Sequence, residues 1–251
     1  MLTKRIIACL DIADGKVVKG VKFQNHEIIG DITQLAEKYA NNGVDELVLY
    51  DIKASCDNKT VNYKWIENVA RVINIPFCVA GKIDSLEKVE IILNSGADKV
   101  SINSPAINNP NLINQIAEKF GSSTLVVGID TKNDVIYKNT GDFLKTEKIE
   151  ISILDWTKEV ANRGAGEIVL NSINSDGTRE GYDIILLQKV CNAINIPVIA
   201  SGGAGNMKHF LDVFQQTNVS GALAASVFHK NEIEIQNLKK YLFDNKICIR
   251  I

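Results

Sequence analysis

The stretch Asn74-Ile75-Pro76, followed after two residues by Val79-Ala80-Gly81, decides the fold because the chain contains it twice. It recurs as Asn195-Ile196-Pro197 followed by Ala200-Ser201-Gly202, 121 positions later (195 minus 74). A repeat of half the chain is too long for a solenoid unit, which has roughly 20–50 residues. It indicates a duplicated fold with pseudo-twofold symmetry, in which a functional position in one half predicts a partner in the other.

Two further segments follow the duplication. Gly43-Val44-Asp45-Glu46-Leu47-Val48 recurs as Gly164-Ala165-Gly166-Glu167-Ile168-Val169 at the same offset (164 minus 43). The apolar run Ile6-Ile7-Ala8-Cys9-Leu10-Asp11 is matched by Leu125-Val126-Val127-Gly128-Ile129-Asp130. The two aspartates at their ends are 119 positions apart (130 minus 11).

The length and composition favour a single globular domain over residues 1–251. Of the 251 residues, 45% are hydrophobic and 23% are charged, which is ordinary for a globular protein. A net charge of -2 does not favour nucleic-acid binding, which calls for a basic patch. No apolar run approaches the ~20 residues that cross a bilayer, and the start of the chain shows no cleavable signal peptide. We therefore expect a cytoplasmic protein.

Cysteine and histidine usage predicts neither disulfides nor a metal site. The odd number and wide spacing of the cysteines favour free thiols in a reducing compartment. The three histidines show no ligand spacing, and we expect no metal and no cofactor. These residues are Cys9, Cys56, Cys78, Cys191, Cys248, His26, His209 and His229.

Short apolar runs alternate with amphipathic stretches along the whole chain. Several runs are apolar on both faces, as in a parallel sheet that helices cover. Ile32, Leu35, Ala36, Tyr39 and Ala40 form one helical stripe, with Asp31 as its N-cap. Eight strands and their helices in this length predict a (β/α)8 barrel, and the duplication favours it over a doubly wound sheet. The strands are predicted at 5–10, 46–51, 76–80, 98–102, 124–129, 167–171, 197–200 and 220–224.

Aspartates end several predicted strands, at the face where such barrels have their active sites. Asp11 ends strand 1 and Asp130 ends strand 5, opposite each other in an eight-stranded ring. Asp51 ends strand 2, and Asp176 follows strand 6. Any one of these aspartates is more simply a helix or turn cap. Because Asp11 and Asp130 occupy matching positions of the two halves, we expect them to act as general acid and base.

Glycine-rich loops give a second signal. Gly81 follows strand 3 and Gly202-Gly203-Ala204-Gly205 follows strand 7, while Asn103-Ser104 and Ala225-Ser226 follow strands 4 and 8. Backbone N–H groups in such loops donate to phosphate oxygens. The alternative is that the glycines only permit tight turns, but the matched pairs favour two phosphate sites. The sequence thus predicts a pocket for an elongated bisphosphate.

Four charged residues stand near strand starts, at the opposite end of the predicted barrel. Such charges commonly solvate the barrel bottom or form stabilising ion pairs. Their alternating signs suggest instead a ring around the barrel axis that acts as a gate. They are Arg5, Glu46, Lys99 and Glu167.

Several motifs resemble the cyclase subunit of imidazole glycerol phosphate synthase, and the resemblance runs from the first residues to Arg250. That family is a barrel of two half-barrels. The resemblance implies that ammonia from a glutaminase partner at the barrel bottom passes up the interior and reacts with PRFAR, giving imidazole glycerol phosphate and AICAR. The motifs are Lys4-Arg5-Ile6-Ile7 with Cys9-Leu10-Asp11, Asp14-Gly15 with Val17-Val18-Lys19-Gly20, Gly96-Ala97-Asp98-Lys99-Val100-Ser101-Ile102-Asn103, Asp176-Gly177-Thr178 and Ala200-Ser201-Gly202-Gly203-Ala204-Gly205.

The resemblance assigns roles position by position. It makes Asp11 and Asp130 the acid/base pair and puts Lys19 on a flexible loop after strand 1 that closes over substrate. It makes the four charges a salt-bridged ammonia gate and has Asp98 face the glutaminase, in a heterodimer. Asn103 and Ser104 match one phosphate site. The other is matched by Asp176, Gly177, Gly203, Ala225 and Ser226.

The chain departs from the family at four positions. Lys82 follows Gly81 where a second glycine is usual, so its side chain either adds charge to the first phosphate site or obstructs it. Lys53 replaces a common Thr, Ala8 a common Pro and Ser123 a common Gln. Lys19 also breaks the symmetry, because no equivalent is identified near Lys138.

Three other functions fit part of this pattern. The sister phosphoribosyl isomerase also uses two aspartates and two phosphate sites, but it has no use for an ammonia gate. A paralogue that channels ammonia for glycan amidation often loses Cys9-Leu10-Asp11, which this chain keeps. A non-catalytic barrel would not need Asp11, Asp130 and Lys19 together. The cyclase is therefore the prediction.

Overall fold

The computed structural model describes residues 3–13, 15–21, 24–52, 63–141 and 144–251, without the side chains of 19–21 and 24–27. The strands are β1 (Arg5–Ala13), β2 (Lys16–Val21), β3 (Gln24–Asp31), β4 (Glu46–Asp51), β5 (Phe77–Ala80), β6 (Lys99–Ile102), β7 (Leu125–Lys132), β8 (Val135–Lys138), β9 (Glu147–Ser152), β10 (Glu167–Ser172), β11 (Val198–Ser201) and β12 (Gly221–Ala224). The helices are α1 (Ile32–Asn41), α2 (Tyr63–Val72), α3 (Leu86–Asn94), α4 (Ser104–Asn108), α5 (Asn111–Phe120), α6 (Ile153–Asn162), α7 (Ile184–Cys191), α8 (Met207–Gln216), α9 (Ser226–His229) and α10 (Ile235–Asp244), with a 3-10 turn at Ser122–Thr124.

Eight of the strands close into a parallel barrel, which confirms the predicted fold class. Their order is β1, β4, β5, β6, β7, β10, β11 and β12, and β12 pairs in parallel with β1 to close the ring. Every predicted strand corresponds to one of them. Because β7 is four strands from β1 in either direction, the carboxyl ends of these two strands face each other across the barrel.

The core has two layers, as the two-residue period of strands requires. Residues on the outer strand faces pack against the helices in one large cluster. Residues on the inner faces form a second, apolar cluster that fills the barrel. Its members are Ile7, Cys9, Val48, Cys78, Val126, Val169, Ile199 and Leu223.

Two hairpins were missed by the sequence prediction. The strands β2 and β3 follow β1, and β8 and β9 follow β7, each pairing antiparallel with its neighbour. In the second hairpin the strand pattern is weak, because β9 is exposed or half-exposed at every position. The two hairpins extend the duplication, since each follows the strand that carries one of the paired aspartates.

The hairpins correct two expectations about Lys19. Its backbone lies in β2, not in a loop, and its side chain is outside the described part of the chain. Lys19 also has a counterpart: Asp11 pairs with Val18, Asp130 pairs with Tyr137, and the next residues are Lys19 and Lys138. The separation of 119 (138 minus 19) equals that of the aspartates. The Lys138 ammonium contacts Asn108 at 3.2 Å and Glu147 at 3.1 Å.

The first helix forms as its sequence predicts. Asp31 Oδ1 accepts from the N–H groups of Thr33 at 3.0 Å and Gln34 at 3.3 Å, which caps α1. Ile32, Ala36 and Tyr39 are buried. At the far end of the chain α10 is fixed to the barrel bottom by a buried ion pair, in which Lys239 donates to Asp45 at 2.6 Å. None of the helices described is both long and apolar enough to span a bilayer.

Candidate active site

A pocket of about 840 Å³ opens at the carboxyl ends of the barrel strands. Asp11 and Asp130 both line it, as do Asp51 and Asp176. The duplicated strands therefore bring the two paired aspartates to one cavity from opposite sides. The glycine loops of both halves line the same cavity, so all the predicted top-face positions with described side chains converge there.

The carboxylate of Asp130 is held by three donors. Asn171 donates to Oδ1 at 2.8 Å, Asn103 donates to Oδ2 at 2.8 Å, and Thr140 donates to Oδ2 at 2.6 Å. Burial raises the pKa of Asp130, and the hydrogen bonds from Thr140, Asn171 and Asn103 act in the opposite direction. A carboxyl group in a fixed orientation with a raised pKa suits a group that takes up and returns protons.

Asp11 has a different environment. It lies two residues after Cys9 on the inner face of β1, and the Cys9 thiol donates to Asp11 Oδ1 at 3.7 Å. Tyr50, at the end of β4, lies in the same pocket. Burial is the main reason that the pKa of Tyr50 is raised, so its phenol stays protonated and can donate. The two aspartates thus have unlike surroundings, as separate acid and base roles require.

The first phosphate loop has a left-handed backbone at two successive residues. Gly81 has φ +140° and Lys82 has φ +42°, and a Cβ on Gly81 would approach the Asp51 carbonyl oxygen to 2.8 Å. Lys82 is half-buried and lines the pocket. Among the described residues its ammonium has no hydrogen-bond or ion-pair partner.

The second phosphate loop is glycine at the corresponding positions. Gly202 has φ +87° and Gly203 has φ +108°. A Cβ on Gly203 would lie 1.9 Å from the Gly181 carbonyl oxygen, because the loop after β10 packs directly on this backbone. That loop brings Asp176 and Gly177 to the same end of the pocket.

The residues that precede the two short helices repeat one unusual conformation. Asn103, before α4, has φ −126° and ψ −88°, and Ala225, before α9, has φ −125° and ψ −68°. Ser104 and Ser226 then begin the helices at the pocket wall. The duplication therefore extends to backbone angles, and the pocket has two equivalent ends between which the aspartates lie.

The four charges at the barrel bottom form a ring. Arg5 contacts Glu46 at 2.6 Å and also Glu167, while Lys99 contacts Glu46 at 2.9 Å and Glu167 at 3.0 Å. Burial alone would disfavour the charged forms of Arg5 and Lys99, but the two carboxylates outweigh it and raise the pKa of both cations. Arg5 and Lys99 therefore stay charged at neutral pH. Above it lies the apolar barrel interior, and above that the pocket.

Asp98 lies on the outer rim of this bottom face. Its side chain is exposed, and Oδ2 accepts from the backbone N–H of Phe77 at 3.0 Å.

Ser123 lies exposed in the turn before β7, and Ala8 is buried in β1. Lys53 and Cys56 fall outside the described residues. Cys9 and Cys78 are buried thiols outside any disulfide, whereas Cys191 is half-buried and Cys248 is exposed.

The sequence prediction missed three polar residues around Asp130. Asn171 lies one residue before the end of β10 and Ser201 ends β11, and Ser201 donates to Asn171 Oδ1 at 3.1 Å. The strand-end rule that identified the aspartates applies equally to these two residues. Thr140 lies in the connection between β8 and β9, where no sequence signal pointed to the pocket. Among the described residues no group of three or more His, Cys, Asp or Glu side chains has the arrangement of a metal site.

Comparison with known proteins agrees with this geometry. Residues 5–234 match the family model described as histidine biosynthesis protein. A protein of Pasteurella multocida named imidazole glycerol phosphate synthase subunit HisF is 57% identical over 256 residues, covering all of both chains. Proteins of the same name from Proteus mirabilis and a strain of Escherichia coli are each 56% identical over 257 residues, again over the full length of both chains.

Proposed function

The chain belongs to the histidine biosynthesis protein family, and from this premise we propose that it is the cyclase subunit of imidazole glycerol phosphate synthase. The reaction joins ammonia to PRFAR and yields imidazole glycerol phosphate and AICAR. The observation that carries the proposal is the placement of Asp11 and Asp130 in one pocket between two equivalent glycine loops. An elongated bisphosphate bound at both ends brings its middle to the two carboxyl groups.

The proposed chemistry divides between the aspartates. Addition of ammonia and closure of the ring need protons removed from nitrogen, and loss of AICAR needs a proton delivered to the leaving group. Asp130, with its raised pKa and three fixed donors, can serve either step. Asp11, near the thiol of Cys9 and the phenol of Tyr50, acts on the opposite side of the substrate.

The phosphate ends of the substrate occupy the two loops. In the first, Gly81, Lys82, Asn103 and Ser104 line the pocket. In the second, Gly202, Gly203 and Ser226 line it. We propose that Asp176, Gly177 and Ala225 line the second site and that Lys19 closes over the bound substrate.

We propose that the ring of Arg5, Glu46, Lys99 and Glu167 is the entrance for ammonia. A glutaminase partner would dock below it, with Asp98 at the contact, and the pair would act in the cytoplasm. The relatives are each named as a subunit, which supports the existence of a partner. The ring also favours the cyclase over the sister isomerase, which needs no second substrate from below.

The test uses PRFAR and excess ammonium salt at alkaline pH, where free ammonia is available without a partner. The wild-type chain should form imidazole glycerol phosphate. Asp11→Asn and Asp130→Asn should each lower turnover by at least ~10²-fold, the usual scale for losing a general acid or base. Full activity in both variants would refute the assigned roles.

A further inference from the structure

Thr140 reaches Asp130 from outside the barrel. It lies in the connection between β8 and β9, is half-buried, and donates to Asp130 Oδ2 at 2.6 Å. The other two donors to this carboxylate, Asn103 and Asn171, lie at or just after the ends of barrel strands. Thr140 is thus the one donor of these three that the hairpin, and not the barrel, supplies.

The three donors are chemically unlike. The NH₂ groups of Asn103 and Asn171 can only donate, whereas a threonine hydroxyl can donate or accept. When Asp130 carries a proton on Oδ2, that O–H group needs an acceptor beside it. Of the three contacts, only Thr140 can become that acceptor, by turning its own proton towards the open side of the pocket.

The position of Thr140 is fixed at the first phosphate end of the pocket. The backbone N–H of Asn139 donates to Ser104 Oγ at 2.9 Å, and Lys138 donates to Asn108 at 3.2 Å. Both acceptors belong to α4. Because Ser104 Oγ accepts from Asn139, its own proton remains available for a phosphate oxygen. The connection that carries Thr140 is therefore attached to the helix that begins at that site.

We propose that Thr140 is a positioning residue for Asp130, donating to its ionised carboxylate and accepting from its protonated form. Asp130 then keeps this hydrogen bond through both halves of a proton-transfer cycle. The transferred proton is the one that Asp130 takes from substrate and returns to it, and Thr140 keeps its own proton throughout. The proposal rests on the proposed function in one respect, the role of Asp130 as a general acid/base.

The first test needs no substrate. The Asp130 carboxyl carbon, labelled with ¹³C and assigned by its loss in Asp130→Asn, is titrated by NMR in the wild type, Thr140→Val and Thr140→Ser. Valine removes a hydrogen bond that is stronger to the charged carboxylate than to the protonated carboxyl group, so Asp130 should titrate at higher pH, while serine should restore the wild-type midpoint. Thr131→Val is the control, because that hydroxyl lies near the end of β7, beside Asp130 in sequence, and donates to the Val135 carbonyl at 2.9 Å. It should leave the Asp130 midpoint unchanged.

The second test is kinetic. With ammonium and PRFAR, and with rates corrected for the fraction of free ammonia, Thr140→Val should lower kcat by about tenfold or more with little change in KM. The acidic limb of its pH profile should move to higher pH, and Thr140→Ser should resemble the wild type. An unchanged Asp130 midpoint in Thr140→Val, or an equal loss of kcat in the valine and serine variants, would overturn the proposal. A wild-type chain that does not turn over would refute the proposed function, and the NMR titration would still decide the contact.

Discussion

Burial disfavours the charged form of Asp130, whereas its three hydrogen-bond donors favour that form. The pKa of Asp130 is raised, so the effect of burial is the larger one. The ionised form is therefore less favourable in the folded chain than in the unfolded one. Its contribution to stability is fully present below the unfolded pKa and is lost as pH rises through the folded pKa. The active site thus lowers stability at neutral pH to keep a proton acceptor in place.

The raised pKa of Asp130 predicts how Asp130→Asn changes the pH dependence of stability. The variant cannot ionise, so the difference in Tm, variant minus wild type, should increase as pH rises from about 4 to about 7. Thermal unfolding followed by circular dichroism at several pH values measures it, with Asp244→Asn, which changes an exposed carboxylate, as the control. A difference that stays constant with pH would contradict the account of Asp130.

Lys82 has a conformation that suits the glycine usual at this position. Its φ of +42° is left-handed, which costs a non-glycine residue about 1–2 kcal/mol. We expect a compensating gain, in which the ammonium attracts the phosphate at this end of the pocket. Lys82→Gly should therefore raise the free energy of unfolding slightly while raising KM for PRFAR several-fold. Lys82→Asn, which tolerates the same backbone without charge, should raise KM similarly.

Measurement of KM at two salt concentrations separates charge from geometry. The wild-type KM should rise with salt more steeply than that of either variant. A wild-type KM and salt dependence in Lys82→Asn would show that the charge does not contribute to binding.

The positions of pocket residues could be predicted where strand ends and duplication both applied. Asp11 and Asp130 could be paired from sequence because each ends an apolar run at matching positions. Thr140 could not be found in this way, because its role depends on how a polar hairpin folds back over the barrel. The expected lack of a counterpart for Lys19 was wrong because the register of that hairpin, not the local sequence, places Lys138 in the equivalent position.

At the level of elements, buried strands were predictable and solvent-exposed hairpins were not. A barrel strand can be recognised in the sequence by apolar residues on both faces, which the helices and the barrel interior bury. The strands β8 and β9 are stabilised mainly by backbone pairing with β7 and with each other, and they leave little apolar pattern in the sequence. The hairpin of β8 and β9, whose connection carries Thr140, is therefore harder to predict from the sequence than the barrel strands.

The second phosphate loop offers a prediction at this scale. Gly203→Ala should disrupt the packing of the β10 loop, because its Cβ would meet the Gly181 carbonyl at 1.9 Å and φ is +108°. We expect a loss of more than about 2 kcal/mol in unfolding free energy and a rise in KM of at least about tenfold. Gly43→Ala is the control, with φ +83° but open space around the Cβ. It should cost only about 1 kcal/mol, and equal effects of the two variants would contradict the packing argument.

At the scale of the whole molecule, the duplication predicts the barrel and the two ends of its pocket. The ring at the barrel bottom is only partly duplicated between the two halves. Glu46 and Glu167 are matched across the halves, but their partners Arg5 and Lys99 come from strands that are not equivalent. The symmetric part of the chain thus forms the pocket that we propose binds the bisphosphate. The asymmetric ring supports the proposed entry of a second substrate from below.

The ring predicts a specific change in coupling. Glu167→Gln removes one of the two carboxylates that Arg5 and Lys99 share, leaving two half-buried cations with less compensation. We expect the ratio of the glutamine-driven rate, with a glutaminase present, to the ammonium-driven rate to fall several-fold. Glu159→Gln, which weakens an exposed pair with Arg163, is the control and should leave the ratio unchanged. An unaltered ratio in Glu167→Gln would argue against an ammonia entrance at the ring.

The central claim is that this barrel alone cyclises PRFAR when ammonia is supplied. The most direct test incubates the purified chain with PRFAR and ammonium salt at alkaline pH and quantifies the products by chromatography. The account predicts imidazole glycerol phosphate and AICAR in equal amounts, with no product when ammonium is omitted. Undiminished PRFAR in the presence of ammonium, with the chain folded, would contradict it.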